Sequence, residues 1–224
     1  MAARVPVLIA VVLTLAFAAG CRKGDTHLAT VTVGSPAVYC LFDPSCKVTT
    51  IESSTAPIPM QVEGTAFIES RTFAGKPGTP AAGLYGYEYR INLEQAVATT
   101  HMPCLRTMAL EFGPIVDTLD YNGDGQAGDL IYVVTDGGPG KIGIDHVHGW
   151  TNRFIVYFDS PVCAGPSGVR GDSTYAFGLV SAQPPRAVTA TLKETADLTA
   201  TSSKLKDSPA YDVLVRAPQA STAH

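Results

Sequence analysis

Charge is scarce in this chain. Asp, Glu, Lys and Arg make up 16% of its 224 residues, with 16 basic residues against 20 acidic ones. Without a basic excess or cluster it lacks the electrostatic footprint of a nucleic-acid-binding protein, and it has no patch for anionic lipid. Several enzyme signatures are missing too. There is no G-x-S-x-G nucleophile turn, no H-E-x-x-H zinc helix, no G-x-x-x-x-G-K-[ST] phosphate loop and no dinucleotide fingerprint leading into a helix. Paired carboxylates for glycoside hydrolysis are not excluded in this way, because their spacing is set in three dimensions. No internal repeat or low-complexity block divides the chain, and no apolar run reaches the about 20 residues of a membrane-spanning helix.

Apolar residues concentrate instead at the start. Arg4 supplies a short positive segment, residues 5–17 are apolar apart from Thr14, and Ala18, Ala19 and Gly20 set small side chains before Cys21. This is the layout of an export signal. A buried core helix is disfavoured, because the run has no polar face at helical period. Ala18-Ala19-Gly20-Cys21 resembles the lipobox of bacterial lipoproteins, with Ala18 where that family usually has Leu. The resemblance implies cleavage before Cys21, lipid on its thiol, and a chain tethered in the cell envelope. Arg22 and Lys23 follow, and no aspartate resembling an inner-membrane retention signal is present, so a Gram-negative host implies the outer membrane. Ordinary secretion is the alternative, because Ala16-Phe17-Ala18 is itself an A-x-A cleavage site.

Cysteine parity bears on that choice. An odd count, here five, implies a leftover thiol in an exported protein. Lipid on Cys21 leaves Cys40, Cys46, Cys104 and Cys163 to close two bridges in an oxidising compartment. Of the three possible connectivities, Cys40–Cys46 with Cys104–Cys163 is favoured, because Asp43-Pro44 turns the chain back between the first pair.

The expected organisation is a signal over residues 1–20, an anchor and tether over 21–35 with an early strand at 29–33, one domain over 36–218 and a tail over 219–224. About 200 residues beyond the signal suffice for one sizeable core. Arg4 is the one charged residue in the signal, so the remainder carries 15 basic and 20 acidic residues, a formal charge of −5. Period-2 alternation predicts strands at Tyr85, Tyr87, Tyr89, Ile91 and Leu93, at Met108, Leu110 and Phe112, and at Phe154, Val156 and Phe158. It recurs at Tyr175, Phe177 and Leu179, at Val188, Ala190 and Leu192, and at Tyr211, Val213 and Val215. Residues 130–135 form a continuous apolar run suited to an interior strand, and residues 93–98 are the single helical candidate. Gly- and Pro-rich turns separate these runs. About nine strands predict an all-β fold, an antiparallel β-sandwich with a barrel as alternative.

Four stretches carry candidate chemistry. Asp120, Asn122 and Asp124 alternate before Gly125, with Gln126 and Asp129 following; oxygens at this spacing suit calcium, a hard cation that takes six to eight of them. The ten residues resemble the calcium loops of dockerins and FG-GAP repeats, which implies a metal set of Asp120, Asn122, Asp124, Gln126 and Asp129. They depart from an EF-hand in having Ile131 where its bidentate Glu would stand. A plain turn is the alternative, since Asn-Gly and Asp-Gly are turn dipeptides. Asp145-His146-Val147-His148 is second: on a strand the two histidines share a face, with His101 or Asp145 as a third metal ligand. Exposed loop histidines are the plainer reading. Arg170-Gly171-Asp172-Ser173 resembles the integrin-binding tetrapeptide and equally reads as a turn. Tyr85, Tyr87 and Tyr89 could stack a sugar, though alternation of this kind is usually core.

The sequence therefore predicts a lipid-anchored, calcium-stiffened β-sandwich that serves as a binding or structural module for an extracellular protein or carbohydrate, and not for nucleic acid. A metal-dependent hydrolase using His146 and His148 is the alternative.

Overall fold

The computed structural model describes residues 26–150, 152–195 and 208–220. The export signal, Cys21 and residues 221–224 lie outside the described residues. Among the described residues, twelve strands and one short helix occur in the order β1 (Thr26–His27), β2 (Thr30–Gly34), α1 (Ser35–Cys40), β3 (Thr50–Pro57), β4 (Val62–Ala74), β5 (Tyr85–Ala98), β6 (Cys104–Glu111), β7 (Ile131–Asp136), β8 (Ile144–Trp150), β9 (Arg153–Cys163), β10 (Ala176–Ser181), β11 (Pro185–Glu194) and β12 (Ala210–Pro218). They form two open six-stranded sheets, one ordered β1-β8-β9-β6-β11-β12 and the other β2-β7-β10-β5-β4-β3. The fold is the predicted sandwich rather than a barrel. One strand pairing departs from the antiparallel rule: β2 runs parallel to β7.

Alternation builds the core between the sheets. Tyr87, Tyr89, Ile91 and Leu93 of β5 meet Met108, Leu110, Phe154, Val156, Phe158, Val188, Ala190, Leu192, Val213 and Val215 of the facing sheet, all buried. The two tyrosines bury their rings and still satisfy their hydroxyls, as buried polar groups must. Tyr87 donates to the Gln183 carbonyl at 2.7 Å, and Tyr89 donates to the Arg216 carbonyl of β12 at 2.5 Å. The tyrosine ladder is core, not a sugar platform.

A second core covers the outer face of the β2–β3 sheet. Val38 and Phe42 from α1 and its exit, Phe73, Leu119, Tyr121, Tyr132, Val134, Ala176 and Val180 pack there. Every residue of β10 is therefore buried. Gly178 is needed in this strand, because a Cβ there would lie 2.2 Å from the Tyr87 carbonyl oxygen and 2.5 Å from the Tyr132 ring.

The expected helix over residues 93–98 is not formed. Those residues continue β5, pairing with Val62–Thr65 of β4 while Leu93 and Ala96 enter the main core. Pairing and burial override the helix-forming composition of Leu-Glu-Gln-Ala. The helix lies earlier, at Ser35–Cys40, where a proline stands in the first turn. The expected early strand at residues 29–33 appears as β2, and β1 and β2 attach the start of the described chain to opposite sheets.

Both expected disulfides are present. Cys40 and Cys46 join the end of α1 to the following turn, and Cys104 and Cys163 are direct register partners of β6 and β9. Among the described residues no helix is long and apolar enough to cross a membrane.

Candidate functional site

The outer face of the β2–β3 sheet holds a concavity. It is a groove of about 420 Å³ whose walls include Tyr39, Ser53, Ser54, Thr55, Arg71 and Arg90. Strand register creates its charges: Arg71 of β4 lies directly opposite Glu88 of β5, and Glu69 opposite Arg90. Opposed charges on neighbouring strands attract at this spacing. Arg71 donates to Glu88 Oε1 through Nε at 2.7 Å and lies 2.6 Å from it through Nη2. The Tyr39 hydroxyl donates to Glu88 Oε2 at 3.0 Å and accepts from Arg71 Nη2. Glu88 is 5% exposed, so burial pushes its carboxyl up while Arg71 pulls it down. Burial and the neighbouring Glu88 charge raise the Tyr39 hydroxyl to about 12, so it remains a donor at neutral pH. The second pair extends into a chain: Arg90 reaches Glu94 at 2.9 Å, and Glu94 also takes Arg170 at 2.6 Å and the Ser173 hydroxyl at 2.7 Å.

Sequence reasoning missed this network. Alternation assigns Glu88 and Arg90 to the outward face correctly, but α1 and the connection over residues 112–130 cover that face. The available signal was the proline-initiated helix followed by the apolar Val38, Tyr39 and Phe42.

The Asp-Asn-Asp loop lies in that same connection and is stitched by its own amides. Asp120 accepts the backbone N–H groups of Gly123 at 2.6 Å and Gly125 at 2.7 Å; Asn122 accepts from Asp124 at 2.9 Å, and Asp124 from Gln126 at 2.8 Å. Gly123 and Gly125 have φ of 76° and 85°, the left-handed region that glycine tolerates. Asp129 stands apart from the turn. It is 8% exposed and takes the Tyr121 N–H at 2.7 Å, while Tyr121 packs edge-on against Tyr132. Among the described residues no three His, Cys, Asp or Glu side chains gather in a way that would hold a metal.

His146 and His148 are on β8, as the strand reading of their spacing requires. Their ring centres are 4.9 Å apart, and His146 stacks on Tyr157 of β9 at 4.4 Å. His146 Nδ1 lies 2.8 Å from the Asp145 carboxylate, so Asp145 contacts a ring nitrogen of its neighbour. His101 is placed elsewhere, 3.9 Å from Glu194 at the end of β11. In the β1–β8 ladder, position 27 is the register partner of position 148.

Arg170, Gly171, Asp172 and Ser173 are committed to the fold. Arg170 and Ser173 hold Glu94, Asp172 pairs with Lys141 at 2.9 Å, and a Cβ on Gly171 would lie 2.2 Å from the Leu93 carbonyl oxygen. The tetrapeptide is not itself a turn: the turn lies at residues 167–168, and the four residues that follow run to a bridge between Ser173 and Asn92. No family model, curated protein or solved structure matches this chain.

Proposed function

We propose that this chain is an exported protein held at a membrane by lipid on Cys21, and that its sandwich serves as a binding module outside the cytoplasm. One observation carries the reading: the disulfides use Cys40, Cys46, Cys104 and Cys163, which makes Cys21 the odd cysteine of the five. Structural disulfides belong to oxidising compartments, and Cys21 is the position that the lipobox resemblance singles out.

The groove on the outer face is the surface offered to a ligand. Its charges are matched within the protein, so the polar groups it presents outward are the Ser53 and Thr55 hydroxyls and the Arg71 guanidinium, set among apolar surface. Such a lining suits a neutral, hydroxyl-bearing partner, a carbohydrate in preference to a protein. Calcium at the Asp120 loop stiffens the neighbouring second core. Asp120, Asn122 and Asp124 supply side-chain oxygens on one exposed turn, each with a lone pair beyond its amide bond. The Gln126 carbonyl and water would complete the shell, with Asp129 in support from the next turn.

The test is the mass of the mature N-terminus after expression of the full chain in a bacterium. A lipid-modified Cys21 is expected; an unmodified Ala19 at the N-terminus refutes the anchor. For the loop, calcium at about 100 times its dissociation constant adds about 2.7 kcal/mol. At about 2–4 °C per kcal/mol for a domain of this size, the melting temperature rises by roughly 5–10 °C over chelator. Asp124→Ala should abolish the difference, and a wild type indifferent to calcium refutes that part of the reading.

A further inference from the structure

We infer that Asn122 is a self-modification site, where the Gly123 amide nitrogen displaces the side-chain amide with Asp120 as the base. The product is an acidic residue in the exposed Asp120 loop. The inference is independent of the lipid anchor and of calcium in the loop.

The chain has three asparagines, Asn92, Asn122 and Asn152, followed in turn by Leu93, Gly123 and Arg153. Displacement requires the next amide nitrogen to close onto the asparagine side chain, and a bulky following residue obstructs that approach. Gly123 offers no obstruction. A Cβ built there would meet nothing within 4 Å, and its φ of 76° lies in the region that glycine adopts freely. Asn122, Gly123 and Asp124 are all exposed, so water reaches the site and ammonia can leave it. Asn92, by contrast, lies within β5, where its side chain accepts the Glu94 N–H at 3.0 Å and its backbone bridges to Ser173.

The hydrogen bonds of the loop place a polar partner on each reacting atom. Asp120 Oδ1 accepts from the Gly123 N–H at 2.6 Å, and this is the nitrogen that must lose its proton to attack. Asn122 Oδ1 accepts the Asp124 N–H at 2.9 Å, a donor on the oxygen where negative charge develops. Asn122 Nδ2, the departing nitrogen, donates to Asp124 Oδ2 at 3.2 Å. In the first step the Gly123 nitrogen bonds to Asn122 Cγ while its proton passes to Asp120. The Cγ–Nδ2 bond then breaks, and Nδ2 takes the proton back and leaves as ammonia. A five-membered succinimide remains. Water adds to one of its two carbonyls and reopens the ring. One opening gives aspartate, and the other gives isoaspartate, whose backbone runs through Cγ. Either product adds one negative charge to the turn.

The full chain should be incubated in detergent with chelator between pH 6 and 8, and each asparagine followed by mass spectrometry of proteolytic fragments. Asn122 should convert ahead of Asn92 and Asn152, to aspartate and isoaspartate that carry heavy oxygen when the water is so labelled. General-base assistance contributes about 10²–10⁴-fold where positioning is complete. Asp120 divides its carboxylate among the amides of Gly123, Asp124 and Gly125, so Asp120→Asn should slow the conversion by less, about tenfold. A carboxylate base needs no hydroxide. The wild-type rate should therefore change little across this pH range, while that of Asp120→Asn rises in proportion to hydroxide. A merely structural role for Asp120 would alter the rate and leave its pH dependence unchanged. A wild-type rate that climbs with hydroxide, an Asp120→Asn variant that converts as fast as wild type, or an Asn122 no faster than Asn152 overturns the inference.

Discussion

The Arg71–Glu88 pair makes a quantitative prediction because its two charges are unequally buried. The Glu88 side chain is 6% exposed and that of Arg71 36%. Removing one partner of a buried ion pair costs about 3–5 kcal/mol, because the remaining charge is left without compensation. In Arg71→Ala the stranded charge is the deeply buried carboxylate. Water enters part of the vacated volume, so the cost should be near the lower figure, about 3 kcal/mol. In Glu88→Gln the stranded group is a guanidinium that already reaches solvent and keeps the Tyr39 oxygen, so the loss should be about 1 kcal/mol. The double variant Arg71→Met/Glu88→Gln strands no charge and should lie closer to wild type than Arg71→Ala does. Urea denaturation at pH 7 reads this directly. With a slope of about 2 kcal/mol per molar, Arg71→Ala should unfold about 1.5 M earlier than wild type and Glu88→Gln about 0.5 M earlier. Acid should rescue Arg71→Ala. With Arg71 gone, burial outweighs the remaining Tyr39 hydrogen bond and raises the native value of Glu88, so the native state holds a proton that the unfolded state releases. The deficit is then full above that raised value, declines as pH falls, and is gone below the unfolded value of about 4.3. An Arg71→Ala midpoint within about 0.3 M of wild type, or a larger loss in Glu88→Gln, would refute the reasoning.

Two further outcomes follow from the covalent and acidic staples. In the chain-entropy account a bridge spanning 59 residues contributes about 4 kcal/mol and one spanning 6 about 2 kcal/mol. Replacing Cys104 and Cys163 by Ser should therefore lower the urea midpoint about twice as far as replacing Cys40 and Cys46; equal losses would contradict that account. Asp43 is held down to about 2 by hydrogen bonding to Lys76 and to the Ser45 amide and hydroxyl. A depressed carboxyl stabilises the fold above its unfolded value near 3.9 and ceases to do so as pH falls through about 2. The gap in melting temperature between wild type and Asp43→Asn should be widest at neutral pH and close between pH 4 and 2. A gap that persists unchanged at pH 2 would show that packing, not ionisation, sets it.

Where alternation carried buried apolar residues, the strands were legible: β5, β6, β9, β11 and β12 all contain the runs expected of them. Strands β3 and β4 were not, and their residues show why. Strand β3 is an edge of Ser and Thr with no apolar face, exposed at every second position. Strand β4 sends Ser70 and Thr72 inward, and Ser70 spends its hydroxyl on Ser54 at 2.7 Å and on the Arg216 amide at 3.0 Å. A polar residue at a buried position erases the pattern that would reveal it, and the bulge between Thr65 and Phe67 shifts the period within the same strand. The helical reading of residues 93–98 fails for the complementary reason. Local preference among those residues is weak beside four residues of pairing with β4 and two fully buried side chains.

The candidate sites divide along the same line. Spacing of two along a strand made His146 and His148 legible, because it depends only on local geometry. The third ligand that the spacing invited, His101, is placed instead beside Glu194 at the end of β11, a tertiary outcome that no local pattern encodes. The Arg71–Glu88–Tyr39 network is a cross-strand pairing capped by a helix from a third segment, so its members look like ordinary outward residues until the second core is known. That core also links the two sites already described on its face. Tyr121, at the start of the Asp120 loop, packs on Tyr132, and Tyr132 carries a raised hydroxyl whose leading cause is burial and whose next is the Glu88 charge. A cation that stiffened the loop would therefore act on the groove through two packed aromatic rings, a path of contact with no polar relay. Ligand binding in the groove and calcium binding in the loop should be coupled if both occur, and by reciprocity each should tighten the other by the same factor.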